Sequence, residues 1–181
     1  MKVAEHSGEG TKEVWCREGE RLERSFVENI VPRYGIDIRI NPDKEHNPYT
    51  HDLVWGQFGR GDLKYVQTPF FTAGKYGYDP NETVTLNKRS YDSYLRDYPD
   101  FSKDYSDFFI AFYVDWPAAT QYSKQVDAKQ GLWVYDMSDI RKQVESGAPL
   151  HAYKNRANDM EGHAKDSYLI RLEDKHKWTA T

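Results

Sequence analysis

The segment Phe108-Phe109-Ile110-Ala111-Phe112-Tyr113-Val114 offers water no polar face at all. A run of that length and type predicts a strand covered on both sides, and therefore a sheet with further layers above and below it. Gly131-Leu132-Trp133-Val134-Tyr135-Asp136-Met137 makes the same demand. A chain of 181 residues can surround one such sheet but is short for two ordinary domains. The expectation is one α/β domain over residues 14–175, with a mobile polar arm at 1–13 and a tail at 176–181.

The remaining elements follow from periodicity. Leu22, Phe26, Val27, Ile30 and Val31 form the apolar stripe of a helix running from Arg17 to Val31, which Pro32 stops. Gly35 to Pro42 alternates as a half-buried strand, Asp52 to Gly56 reads as a second, and Asp62 to Phe71 as a third, following a turn with Gly59 and Gly61. The polar, Tyr-rich stretch Asn81–Tyr98 contains a helix over Lys88–Asp97. Ser138 or Asp139 caps a short helix that Gly147 ends, and Ser167–Leu172 is a last, edge strand. The order predicts a mixed central β-sheet flanked by helices, with its first three strands in an antiparallel meander.

Composition excludes several functions. One cysteine, Cys16, rules out an internal disulfide framework and a multi-cysteine zinc site, and favours a reducing, cytoplasmic setting. The six histidines show no zinc-hydrolase spacing. No phosphate-binding glycine loop, dinucleotide fingerprint or serine-hydrolase elbow is present. No apolar stretch is long enough to span a membrane, and no leader is apparent. A net charge of −4 gives no global case for nucleic acid, leaving only local basic patches for that role.

Chemistry concentrates around one hairpin. Asp52 opens the second strand and Asp62-Leu63-Lys64 the third, so both carboxylates reach one end of the sheet. Residues two apart on a strand share a face, which puts the Lys64 ammonium beside the carboxylate pair. Two adjacent carboxylates repel unless a cation neutralises them, and Mg²⁺ (or Mn²⁺) takes hard oxygen ligands of this kind from Asp52 and Asp62. Lys64 then orients a water or stabilises charge during phosphodiester hydrolysis, and Gln67 helps to position it. The alternative is turn chemistry for the aspartates and an edge-guarding role for the lysine.

Asp52 followed by Asp62-Leu63-Lys64 resembles the PD-(D/E)XK motif of restriction-endonuclease-like nucleases. His51 stands where the motif's name has proline, and Asp62 opens the D-x-K half. The resemblance covers about residues 17–137, whose order of elements is similar to that family's core. It implies a metal-dependent endonuclease acting on DNA, with an acid of the first helix near the metal, Glu23 in preference to Glu20. Lys88, Arg89 and Arg96, and a second cluster at Lys154 and Arg156, are candidate phosphate contacts; the alternatives are a helix packing Tyr91 and Tyr94 on the sheet and a solvated loop. A homodimer is compatible with this reading. The competing function is a catalytically inactive binding or regulatory protein on the same scaffold, of the kind met in phage or mobile-element conflict.

Overall fold

The computed structural model describes residues 8–47, 49–56, 59–97, 107–153 and 166–181, with side chains from Arg17 onward. In chain order the elements are α1 (Gly8–Ser25), β1 (Ile38–Ile40), β2 (Leu53–Trp55), β3 (Gly59–Val66), β4 (Thr83–Asn87), α2 (Lys88–Asp97), β5 (Phe108–Trp116), β6 (Ala119–Gln121), β7 (Lys124–Val126), β8 (Lys129–Asp136), α3 (Met137–Glu145), β9 (Leu150–His151), β10 (Ser167–Arg171) and β11 (Lys177–Trp178). The chain is thus mixed α/β.

The two apolar runs become β5 and β8, antiparallel neighbours inside a six-stranded sheet of order β1-β2-β3-β5-β8-β11. β1, β2 and β3 form the expected antiparallel meander, whereas β5 lies parallel to β3. A parallel neighbour requires a crossover, which residues 67–107 supply with β4 and α2. Alternation along β5 divides the core. Phe108, Ile110, Phe112 and Val114 pack with Tyr91 and Tyr94 of α2, Met137 and Ile140 of α3, and Val84, Leu86 and Ile170 of a second sheet. Phe109, Ala111 and Tyr113 pack against Phe26, Ile30 and Val31 on the opposite side.

Several boundaries differ from the sequence expectation. α1 starts at Gly8, ahead of Arg17 and inside the stretch assigned to the arm. The apolar stripe beyond it continues as a wide π turn over Phe26–Ile30. Pro32, which donates no backbone hydrogen bond, starts a 3-10 turn over Val31–Tyr34 that Gly35 closes at φ 61°. β3 begins earlier and ends earlier than expected, at Gly59 and Val66.

β10 is a correction: it is no edge of the main sheet but the middle of a three-stranded sheet of order β4-β10-β9. Its partner β4 alternates Val84 and Leu86 with threonines and was hidden in a polar stretch. The main sheet's last edge is β11, from residues expected to be a tail. Trp178 there packs on Trp55 at a centroid distance of 5.2 Å.

Candidate metal and active site at the open edge of the third strand

β2 pairs with only the first three residues of β3, in the register Trp55↔Gly59, Val54↔Arg60 and Leu53↔Gly61. Beyond Gly61, β3 keeps β5 on one side and opens on the other. Asp52 and Asp62 stand where the hairpin parts. Asp62 Oδ1 accepts the backbone N–H of Asp52 at 3.3 Å, and Asp52 Oδ2 accepts that of Leu63 at 3.3 Å. Each carboxylate thus serves a backbone donor on the other strand at the end of the ladder. Gly61 permits this geometry: a Cβ there would fall 2.6 Å from the Phe109 ring.

Asp62 and Lys64 project toward α2. Tyr94 donates its hydroxyl to Asp62 Oδ2 at 2.5 Å, and His51 Nδ1 lies 3.2 Å from Asp62 Oδ1. The Lys64 ammonium is 3.8 Å from Asp62 Oδ2 and 5.7 Å from the centre of the Tyr94 ring. Phe108 fixes both rings, at centroid distances of 4.6 Å to His51 and 4.7 Å to Tyr94.

On the other side of Asp52, a 3-10 turn over Pro42–Glu45 presents Lys44. Its ammonium bonds the Glu23 carboxylate and lies 3.0 Å from Asp52 Oδ1. Asn41 holds this arrangement in place. Its carbonyl oxygen caps the turn at Asp43 N, its amide donates to the His51 carbonyl at 3.0 Å, and its backbone N–H donates to that of Asp52 at 2.9 Å.

The charges feel this packing. Burial pushes the Asp62 carboxyl up, but the His51 hydrogen bond, the Lys64 ammonium and the Tyr94 hydroxyl outweigh it and hold the group well below the usual carboxylate range. Burial depresses Lys64, yet Tyr94 and Asp62 leave it above an ordinary lysine. Glu23 is pushed up to about 7 by burial and by Asp52, with Lys44 opposing.

Asp52, Asp62, Lys64 and Glu23 therefore converge. Gln67 lies just past β3, exposed, and lines with Lys64 and Glu23 a groove of about 470 Å³. A second recess, of about 390 Å³, meets the aspartates from the α2 side and is lined by His51, Ser93, Tyr94 and Arg89. Of the candidate phosphate contacts, Arg89 is the one that faces this recess. Lys88 is paired with Asp92 at 2.5 Å and Arg96 with Asp97 at 3.1 Å. Lys154 and Arg156 lie outside the described residues.

Three members of the cluster were not legible as such. The sequence marks His51 only as a departure from a motif, and Tyr94 as a packing residue of α2. Lys44 sits in a polar loop with no periodicity to mark it. Among the described residues, no three His, Cys, Asp or Glu side chains are gathered as a ready metal cage, and the Lys44 ammonium lies between two of the carboxylates. No helix among them is long and apolar enough to cross a membrane. No protein-family model, curated protein or solved structure matches the chain.

Proposed function

We propose that this chain is a divalent-metal-dependent nuclease of the restriction-endonuclease-like type, hydrolysing phosphodiester bonds of DNA. One observation carries the reading: Asp52, Asp62, Lys64 and Glu23 meet where the β2–β3 hairpin parts, with a recess on either side of them. The succession of α1, an antiparallel meander, α2 and a strand parallel to β3 supports the same family.

The donor set fits a hard cation. Its ligands would be the carboxylates of Asp52 and Asp62, and the Lys44 ammonium between Glu23 and Asp52 shows that this cluster already requires positive charge. A bound Mg²⁺ or Mn²⁺ would supply charge stabilisation at a phosphoryl oxygen and a more acidic water. The chain's own groups do the rest. Tyr94 and His51 keep Asp62 ionised and aimed. Lys64, held protonated, donates a hydrogen bond from Nζ to the attacking water or to the oxygen that gains charge. Gln67 and Arg89, on opposite sides of the cluster, position the strand.

Lys44 also favours a second reading, in which its ammonium permanently takes the cation's place and the chain is a catalytically inactive binding or regulatory protein. Cleavage of supercoiled and single-stranded DNA with Mg²⁺ or Mn²⁺ separates the two, using the wild type, Asp62→Ala and Lys64→Ala. Metal-dependent cutting lost in both variants supports the nuclease. An inert wild type that binds no metal in titration supports the second reading.

A further inference from the structure

The groove beside Lys64 has a directional chemistry that phosphodiester cleavage alone does not use. Its floor is the open part of β3 and the residues after it, Leu63 to Phe70, and its walls come from α1 on one side and Thr83–Thr85 with Tyr153 on the other. Lys64 lines it toward the β3 end, its ammonium 3.8 Å from Asp62 Oδ2. The other end is aromatic: Phe70 and Tyr153 line it with centroids 6.4 Å apart, and His151 packs edge-on against both, at 5.1 and 4.5 Å. His151 is fixed in turn by the Tyr76 hydroxyl at 2.8 Å from Nδ1. The Tyr153 hydroxyl is engaged by Thr85 and Ser167, which sets the direction of its ring. Between the two ends lie the exposed side chains of Gln67 and Thr68.

A cation at one end, π faces at the other and amide and hydroxyl groups between them match one nucleotide, with phosphate at the lysine and base at the rings. The volume agrees: about 470 Å³ lies within the roughly 300–1,000 Å³ of small-ligand sites. A duplex keeps its base faces stacked and offers only base edges in its grooves, so a base whose face meets Phe70 or Tyr153 has left its stack.

We infer that this groove receives one unpaired nucleotide adjoining the phosphate at Lys64. The substrate is then a polynucleotide that is single-stranded, or locally unpaired, at the cut. This rests on the nuclease reading for what happens at the phosphate, but not for the binding itself.

The test is equilibrium binding, by fluorescence anisotropy in EDTA so that no cleavage intervenes. The probes are end-labelled single-stranded DNA, single-stranded RNA and blunt duplex DNA of one sequence. The wild type should hold at least one single strand about tenfold tighter than the duplex, the worth of one stacked base. The stronger of the two strands identifies the sugar. Tyr153→Leu and Phe70→Leu should each remove most of that preference and leave duplex binding unchanged. Gln67→Ala, at an exposed position that does not support the fold, should weaken single-strand binding about threefold, as for one hydrogen bond. Equal binding of strand and duplex by the wild type would overturn the inference. So would wild-type strand affinity in Gln67→Ala, or in a leucine variant that melts as a folded protein. Cleavage run in parallel keeps the two ideas apart. Ring-dependent strand binding without metal-dependent cutting sinks the nuclease and keeps the groove. Cutting that is indifferent to Tyr153→Leu and to pairing sinks the groove and keeps the nuclease.

Discussion

Asp52 and Asp62 fix each other through the main chain, Asp62 Oδ1 taking the N–H of Asp52 and Asp52 Oδ2 that of Leu63, both at 3.3 Å. The pair is therefore a structural joint of the hairpin as well as a candidate ligand set. Asp52→Ala would leave the Leu63 N–H without its acceptor and the Lys44 ammonium with Glu23 alone, an expected loss of about 1–3 kcal/mol. Asp52→Asn keeps an oxygen for Leu63 and should lose less. Urea unfolding in EDTA measures both, and an alanine variant as stable as the wild type would show that the joint contributes nothing.

Lys44, which contacts Glu23 and Asp52, should compete with a divalent cation for the Asp52 carboxylate. Lys44→Met is then expected to have two opposite effects. Without metal it leaves carboxylates close together with no counter-charge, and stability falls. With Mn²⁺ present the competing charge is gone, so affinity should rise about tenfold or more and the metal-induced increase in Tm should grow. Calorimetric titration together with thermal melts reads both effects. Weaker metal binding in the variant would instead place Lys44 among the groups that help to hold the ion.

Much of this site was legible because strands impose a period of two. Asp62 and Lys64 had to share a face, and Asp52 had to lie across a short turn from them, whatever the rest of the chain did. The double-sided burial of β5 and β8 was equally forced by their runs of apolar residues. Lys44, His51 and Tyr94 are different in kind. They arrive from a 3-10 turn, a loop and a helix, and their convergence depends on how Asn41 and Phe108 pack, which no local pattern encodes. β4 was missed for a similar reason. Its side chains Val84 and Leu86 are buried in a cluster with residues of β5, α3 and β10, all of which come later in the chain. β10 in turn was misplaced because alternation shows that a strand exists without showing which sheet receives it.

His176 should give stability a pH dependence of its own, away from the Asp52–Asp62 cluster. His176 stacks on Tyr135 at 4.1 Å, with Nε2 buried and no hydrogen-bond partner among the described residues. Asp139 and Glu173 face this nitrogen at 3.9 and 3.7 Å, and Lys142 and Lys175 are close enough to oppose them. Burial is the largest influence and lowers the imidazole below its ordinary value, with Asp139 offsetting it only in part. The unfolded chain therefore takes up this proton first as pH falls. The His176 contribution to stability is complete above about pH 6.5 and is lost as pH drops through the lower folded value, with a slope below about 1.4 kcal/mol per pH unit. His176→Gln removes the group that titrates. Urea unfolding at about pH 7.5 and about pH 5.5 should show the wild type losing more stability than the variant. Parallel losses would mean that the neighbouring carboxylates stabilise the imidazolium as well as burial destabilises it.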